Sequence, residues 1–179
     1  MPYSFTDYKI QIRFFFQKSI PKGTKILDVG PGAGTYWKLL GDLGYKMDCL
    51  EIYEPYIEMF NLMKKYDNVY LGSIVDFDIS KYDCIILGDI LEHINIKDAK
   101  KLVTKIHNLN KKCLVAVPYE MEQGEYEGNK YEEHLQPDLT PKIMTERYPQ
   151  LKLLIGNERY GYYINSKKWQ SKAIDLEAS

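Results

Sequence analysis

The chain has 179 residues, with 24 Lys and Arg against 25 Asp and Glu, so its net charge of −1 lacks the basic excess that marks a polyanion-binding protein. Its length suits one domain able to bury a sheet covered on both faces, and no apolar run approaches the ~20 residues of a membrane-spanning helix. The N-terminal region shows no signal-peptide core, only Phe14, Phe15 and Phe16 between Arg13 and Lys18, which points to a cytoplasmic protein without membrane contact. Cys49, Cys84 and Cys113 are odd in number, have no metal-ligand spacing and fall in predicted strands, and so read as buried thiols of a reducing compartment.

Residues 7–18 predict a helix ahead of the sheet, capped by Asp7 and ended by Pro21-Lys22-Gly23, with Ile10, Phe14 and Phe15 facing inward. This segment, residues 1–22, either packs on the sheet or forms a lid. Lys25 to Gly34 is the stretch around which the rest of the chain is organised. Ile26, Leu27 and Val29 read as a short buried strand, Gly30, Gly32 and Gly34 turn the chain, and Tyr36, Leu40 and Leu43 recur at helical spacing from Thr35 onward. Glycines lack Cβ, so a ligand can approach the backbone closely, and strand, glycine turn and helix together make a nucleotide-binding geometry. A dinucleotide site wants G-x-G-x-x-G. Here the last glycine falls one place early, at Gly34, and Thr35 holds the dinucleotide position. Asp28, two residues before the first glycine, repels a pyrophosphate but can hold a ligand ammonium. The pattern favours a cationic amino-acid nucleoside over NAD.

Met47 to Ile52 reads as the second strand. Its terminal acid, Glu51, stands where a nucleotide fold receives ribose hydroxyls, and Ile52 offers an apolar face for a base. Pro55 opens a helix with Tyr56, Met59, Phe60 and Met63 as its core stripe. Val69 to Leu71 is a third strand, followed by the turn Gly72-Ser73-Ile74-Val75-Asp76, and Tyr82 to Asp89 is a hydrophobic fourth strand ending in an acid. Asn95 to Leu109 predicts a helix with Asn95 and Asp98 as a near capping box and Ala99, Leu102, Val103 and Ile106 inward. Cys113 to Pro118 is the fifth strand. The glutamate-rich stretch 119–139 has no periodicity and leaves the carboxyl end of a strand, which makes it the candidate substrate loop. Thr140 caps a short helix with Pro141 at its first position, Leu151 to Ile155 and Tyr160 to Asn165 are two further strands, and 167–179 is a polar tail expected to fray.

The run Ile26-Leu27-Asp28-Val29-Gly30-Pro31-Gly32-Ala33-Gly34 resembles the first motif of class I S-adenosylmethionine-dependent methyltransferases. Tyr82 to Asp89 with Ile90-Leu91-Glu92-His93-Ile94 resembles the fourth motif of the branch that methylates small molecules and quinone precursors, and Glu133 to Thr140 is similar to its histidine-containing segment. The resemblance spans roughly residues 25–165. It implies an α/β, single-domain Rossmann-like fold: a seven-stranded, mostly parallel sheet with an antiparallel last strand and helices on both faces, occupying residues 23–166. It implies S-adenosylmethionine as cofactor, bound by Asp28, Gly30, Gly32, Gly34, Glu51, Ile52, Ser73, Ile74, Gly88 and Asp89, with Gly88 and Asp89 beside its methionine part. The family's turn after the third strand often reads Gly-Asp-Ala, whose acid bonds the adenine amino group. Ser73 takes that place here, with the backbone at Ile74 or Asp76 as substitutes.

The implied reaction moves a methyl group to an oxygen or nitrogen of a small-molecule acceptor, with His93 and His134 as candidate bases. Asp89, Glu92, His93 and His134 also resemble the layout of metal-using small-RNA 3′-end and quinone methyltransferases, although Asp89 is shorter than the glutamate expected there; the main reading carries no metal. A nucleic-acid substrate is not favoured, because the Asp/Asn-Pro-Pro-Tyr/Phe of DNA amino-methyltransferases and the Pro-Cys of cytosine C5 enzymes are missing. A nucleic-acid or protein methyltransferase and a catalytically silent nucleoside-binding module are the alternatives.

Overall fold

The computed structural model describes residues 5–165 and Trp169. The elements are α1 (Lys9–Ser19), β1 (Lys25–Val29), α2 (Thr35–Leu40), β2 (Lys46–Glu51), α3 (Pro55–Met59), β3 (Val69–Leu71), β4 (Cys84–Gly88), α4 (Ile96–Asn108), β5 (Lys112–Pro118), α5 (Pro141–Arg147), β6 (Leu151–Gly156) and β7 (Tyr160–Asn165). One sheet takes the order β3-β2-β1-β4-β5-β7-β6. The first five strands pair in parallel, and β7 runs antiparallel to both β5 and β6. The architecture is the one the resemblance implies.

Strand alternation explains the layers. Side chains of successive strand residues leave opposite faces. Leu27 and Val29 of β1, Ile85 and Leu87 of β4, and Val115 and Val117 of β5 join the cluster under α4 and α5. Ile26, Cys84, Ile86, Leu114 and Ala116 join the other, under α1 and α2. Both faces are dry, so the central strands read as unbroken apolar runs. On α4 the capping box forms: the Asn95 side-chain oxygen accepts the Asp98 N–H at 3.0 Å, and Asn95 Nδ2 donates to Asp98 Oδ2 at 2.8 Å. Ala99, Leu102, Val103 and Ile106 are buried as expected. Among the described residues no helix is long and apolar enough to cross a membrane.

Two helices differ from their sequence reading. In α1 the inward stripe is Ile12, Phe15 and Phe16, all fully buried, while Ile10 and Phe14 are 68% and 55% exposed. Both i, i+4 stripes are apolar, so periodicity alone does not choose between them. Trp169 chooses: its ring lies 4.6 Å from that of Phe15 and 6.0 Å from that of Phe16, and it is buried. The expectation of a frayed tail over 167–179 fails at Trp169; its other residues lie outside the described ones. Nor does Asp7 cap α1. Tyr8 intervenes with φ 56°, and Asp7 instead accepts from Asn157 Nδ2 at 2.8 Å, pinning the helix start to the β6–β7 turn. The predicted core stripe of the third helix holds at Tyr56, which is buried, and at Phe60, which packs against the core, and is lost beyond them because Asn61 at φ 51° breaks the helix after Met59. The phase shifts, Leu62 turns inward, and Met59 and Met63 are left 58% and 71% exposed.

Candidate active site

A cleft of about 840 Å³, partly open to solvent, lies at the carboxyl ends of β1, β2, β3 and β4. That is the switch point, where chain direction across the sheet reverses between β1 and β4 and doubly wound folds bind ligands. Of the residues selected by sequence, Gly30, Gly32, Glu51, Ile52, Ser73, Ile74, Gly88, Asp89 and His93 line it together. Asp28, Gly34 and His134 are not in its wall. Tyr56, Asn129, Tyr131 and Glu132 line it as well, and sequence reasoning did not find them.

The glycines are required by geometry at two places. Gly30 adopts φ 58°, in the left-handed region, and a Cβ there would collide with the Ile90 side chain. Gly88 carries the Tyr36 ring directly against its backbone, where a Cβ would fall inside the ring. Glu51 ends β2 with 3% exposure. The Ile52 and Tyr53 N–H groups, 2.9 Å away each, donate to its Oε1 and fix the carboxylate plane. Burial pushes its pKa up to about 7, against those backbone bonds. A carboxylate has about four lone-pair sites, so it retains acceptor capacity toward the cleft.

Asp28 sits beneath the glycine loop at 1% exposure. Tyr66 donates its hydroxyl to Asp28 Oδ2 at 2.5 Å, and Oδ1 has no hydrogen-bond partner among the described residues. Burial raises its pKa to about 7, opposed by Tyr66 and by the Lys9 ammonium. Asp89 follows β4 with φ 57°, held there by the Tyr160 hydroxyl, which donates to Oδ1 at 2.5 Å. Ser73 Oγ accepts the Val75 N–H at 3.2 Å, which leaves its hydroxyl proton free to donate. Asp76 is exposed and away from the cleft wall.

The 119–139 stretch folds back over the strand ends, held by polar pins rather than by an apolar face. Tyr56 donates to Glu132 Oε1 at 3.1 Å, and Gln123 Nε2 to the Glu132 carbonyl at 2.6 Å. Gln136, 1% exposed, donates to the Leu91 and Ile94 carbonyls at 2.8 Å and accepts from Arg147 and Tyr148. Such pins have no sequence period, which is why the stretch reads as featureless. The abundance of tyrosine was the available signal: Tyr36, Tyr56, Tyr66 and Tyr160 all serve the site.

His93 and His134 meet edge to face, ring centroids 4.7 Å apart. Each Nδ1 faces a backbone carbonyl, Glu133 at 3.0 Å and Met121 at 2.8 Å. A carbonyl only accepts, so both Nδ1 atoms carry the proton and both Nε2 atoms present lone pairs. Burial lowers the His93 pKa to about 4, so its ring is neutral at pH 7. Glu92 is 1% exposed, with neither carboxylate oxygen hydrogen-bonded among the described residues. Burial raises its pKa, as does the charge of Asp89. Ligand atoms of Glu92, His93 and His134 lie within 4.8 Å of one another, a set able to hold a divalent cation; Asp89 is not one of that set.

Comparison with known proteins gives the same picture as the site. Residues 4–135 match the family model described as "Methyltransferase domain". The chain belongs to that family and is an S-adenosylmethionine-dependent methyltransferase. No curated protein matches it by sequence. Among solved structures it is similar to the CcbJ methyltransferase from Streptomyces caelestis, at TM-score 0.65 and 12% identity over 88% of each chain. It is similar to the glycopeptide N-methyltransferase MtfA complexed with S-adenosyl-L-homocysteine, at TM-score 0.62 and 14% identity over 90% of each chain. The mitomycin 7-O-methyltransferase MmcR aligns at TM-score 0.57 and 11% identity over 88% of this chain and 53% of that one. At these identities the structural likeness defines the fold.

The residues present fit S-adenosylmethionine. Glu51 offers an oriented acceptor for a ribose diol, the glycine loop removes the side chains that would obstruct a ligand, and carboxylates stand near the loop to meet an ammonium.

Proposed function

We propose that the enzyme methylates an oxygen or nitrogen of a small-molecule acceptor that enters beneath the 119–139 loop on the His93 side of the cleft. The observation that carries this reading is the loop itself. It brings Asn129, Tyr131 and Glu132 into the wall of the same cleft as the glycine loop. The loop is also acidic, with Glu120, Glu122, Glu125 and Glu127 along it, which opposes a polyanion. Two of the similar solved structures, MtfA and MmcR, are named for N- and O-methylation of small molecules, which supports the same class.

The sulfonium methyl is already reactive when the cofactor is bound, so the chain's residues supply alignment and water exclusion. Gly88 and Asp89 line the cleft with the glycine loop, and Tyr131 and Glu132 line it from the 119–139 loop. A hydroxyl or charged-amine acceptor must lose a proton, and the Nε2 lone pair of His93 faces that need, with His134 behind it. Incubation with methyl-labelled S-adenosylmethionine and fractionated extract tests the proposal. Label is expected in the low-molecular-weight fraction and is expected to fall with His93→Ala and His134→Ala. Label confined to RNA, DNA or protein would overturn it.

A second reading has its own observation. The two unpartnered oxygens of buried Glu92, beside two imidazole lone pairs, suit a divalent cation that would orient an acceptor oxygen.

A further inference from the structure

The 119–139 loop concentrates negative charge at the cleft. It carries six glutamates and Asp138 against Lys130 alone, in a chain whose net charge is −1. Asp138 is paired with Arg147 at 2.6 Å. Of the glutamates only Glu132 is buried, and only Glu132 enters the cleft wall. The Tyr56 hydroxyl donates to its Oε1 at 3.1 Å and Gln123 Nε2 to its Oε2 at 3.4 Å, which fixes the plane of the carboxylate. Beside it, Tyr131 lines the cleft with a ring that already takes a cation: the Lys130 ammonium stands 5.4 Å from its centre.

Glu51, Asp89 and Glu132 line the cleft together, and among the described residues no lysine or arginine does. Glu92, buried next to His93, adds two carboxylate oxygens without a hydrogen-bond partner among the described residues. Burial holds protons on Glu51 and Glu92, and the charge of Glu132 adds to that at both. Lys9 acts on Asp89, but it stands over the Tyr36 ring and outside the cleft wall. Bound S-adenosylmethionine brings one net positive charge, from its sulfonium, and its ribose falls to Glu51. The charge of Glu132 also acts on His93 and His134, which puts it on the histidine side of the cleft. An anionic acceptor would add to this repulsion, whereas a cationic one relieves it.

We propose that the acceptor carries a positively charged group, an ammonium or guanidinium apart from the atom that is methylated, and that Glu132 receives it with Tyr131 as aromatic neighbour. The inference rests on the small-molecule reading of the cleft. The contact is a charge-assisted hydrogen bond, and the exposed glutamates of the loop raise the local concentration of cations around it. Glu132 lies outside the set able to hold a divalent cation, so the two roles do not compete.

The test divides a low-molecular-weight extract on ion exchangers into cationic, neutral and anionic pools. Each pool is offered, with methyl-labelled S-adenosylmethionine, to wild type and to Glu132→Gln. Wild type is expected to form labelled product from the cationic pool only. Glu132→Gln is expected to need about tenfold to a hundredfold more of that pool for half-maximal labelling. Its labelling at saturation and its calorimetric affinity for S-adenosylhomocysteine are expected to stay within about threefold of wild type. Added salt is expected to raise the half-saturation point of wild type more than that of the variant. The wild-type pools test the acceptor's charge independently of the variant. Product from the neutral or anionic pool, or an unmoved half-saturation point, would overturn the assignment. So would an equal loss of S-adenosylhomocysteine affinity, which a merely structural role of Glu132 would give. No small-molecule product from any pool would overturn the function proposed above with it.

Discussion

Glu51 holds two opposed demands. Its pKa is pushed from the ordinary 4.5 to about 7 by burial, so the native chain binds its proton more tightly than the unfolded one. For a carboxyl shifted in that sense, the stability contribution is present below pH 4.5 and is lost as pH rises toward 7. At about 1.4 kcal/mol per pH unit, the ionised group costs the cofactor-free protein about 3 kcal/mol at neutral pH. Bound ribose hydroxyls offset that cost, because they donate to the charged form. Glu51→Gln removes the charge while keeping the volume. If the amide oxygen takes over the Ile52 and Tyr53 N–H groups, its NH2 meets the ribose and cannot accept. Losing one charge-assisted bond worth about 1.5–3 kcal/mol predicts affinity for S-adenosylhomocysteine lower by about tenfold to 150-fold at pH 7.5. Titration calorimetry across pH 5.5 to 8.5 carries a second signature. Wild-type affinity falls by up to about tenfold per pH unit below 7, and the variant loses that slope. The melting temperature of the variant relative to wild type rises from pH 5 to pH 8, because only wild type loses stability as its carboxyl ionises. Affinity within threefold of wild type, or an unchanged pH slope, would refute the reasoning.

The remaining predictions concern the Gly88 and Asp89 wall of the cleft and its histidine side. Gly88→Ala drives a methyl into the Tyr36 ring and is expected to cost about 1–3 kcal/mol, seen as a melting temperature lower by several degrees, with cofactor binding weakened as well; an unchanged melting temperature would mean that Tyr36 moves aside freely. Tyr160→Phe removes the hydrogen bond to Asp89 and is expected to destabilise by about 2 kcal/mol in urea unfolding, since the acceptor is a carboxylate. Zinc or manganese is expected to raise the melting temperature of wild type and not that of Glu92→Gln. A wild type indifferent to both metals would exclude the cation reading.

Much of the candidate cofactor face is legible along the chain, because it is written in local chemistry. Gly30, Gly32 and Gly34 stand between a strand and a helix, and Glu51 and Asp89 each fall at a strand end. In a doubly wound sheet every such end arrives at one edge. The α4 capping box and the Thr140 cap of α5 are likewise local. Three things needed the tertiary structure. The rotation of α1 was undecided in sequence because both of its stripes are apolar, and it was settled by Trp169, distant in sequence. The break at Asn61 depends on one residue entering the left-handed region, which no period reveals. The 119–139 loop is held by Glu132, Gln123 and Gln136, whose partners are backbone carbonyls and tyrosines of other elements, so its walls have no pattern of their own. Sequence determined the fold and brought the candidate cofactor residues to one edge of the sheet, because those rest on period and turn chemistry. Tertiary structure decided which tyrosines stand beside those residues and that His93 and His134 meet, because such neighbours are supplied only by folding.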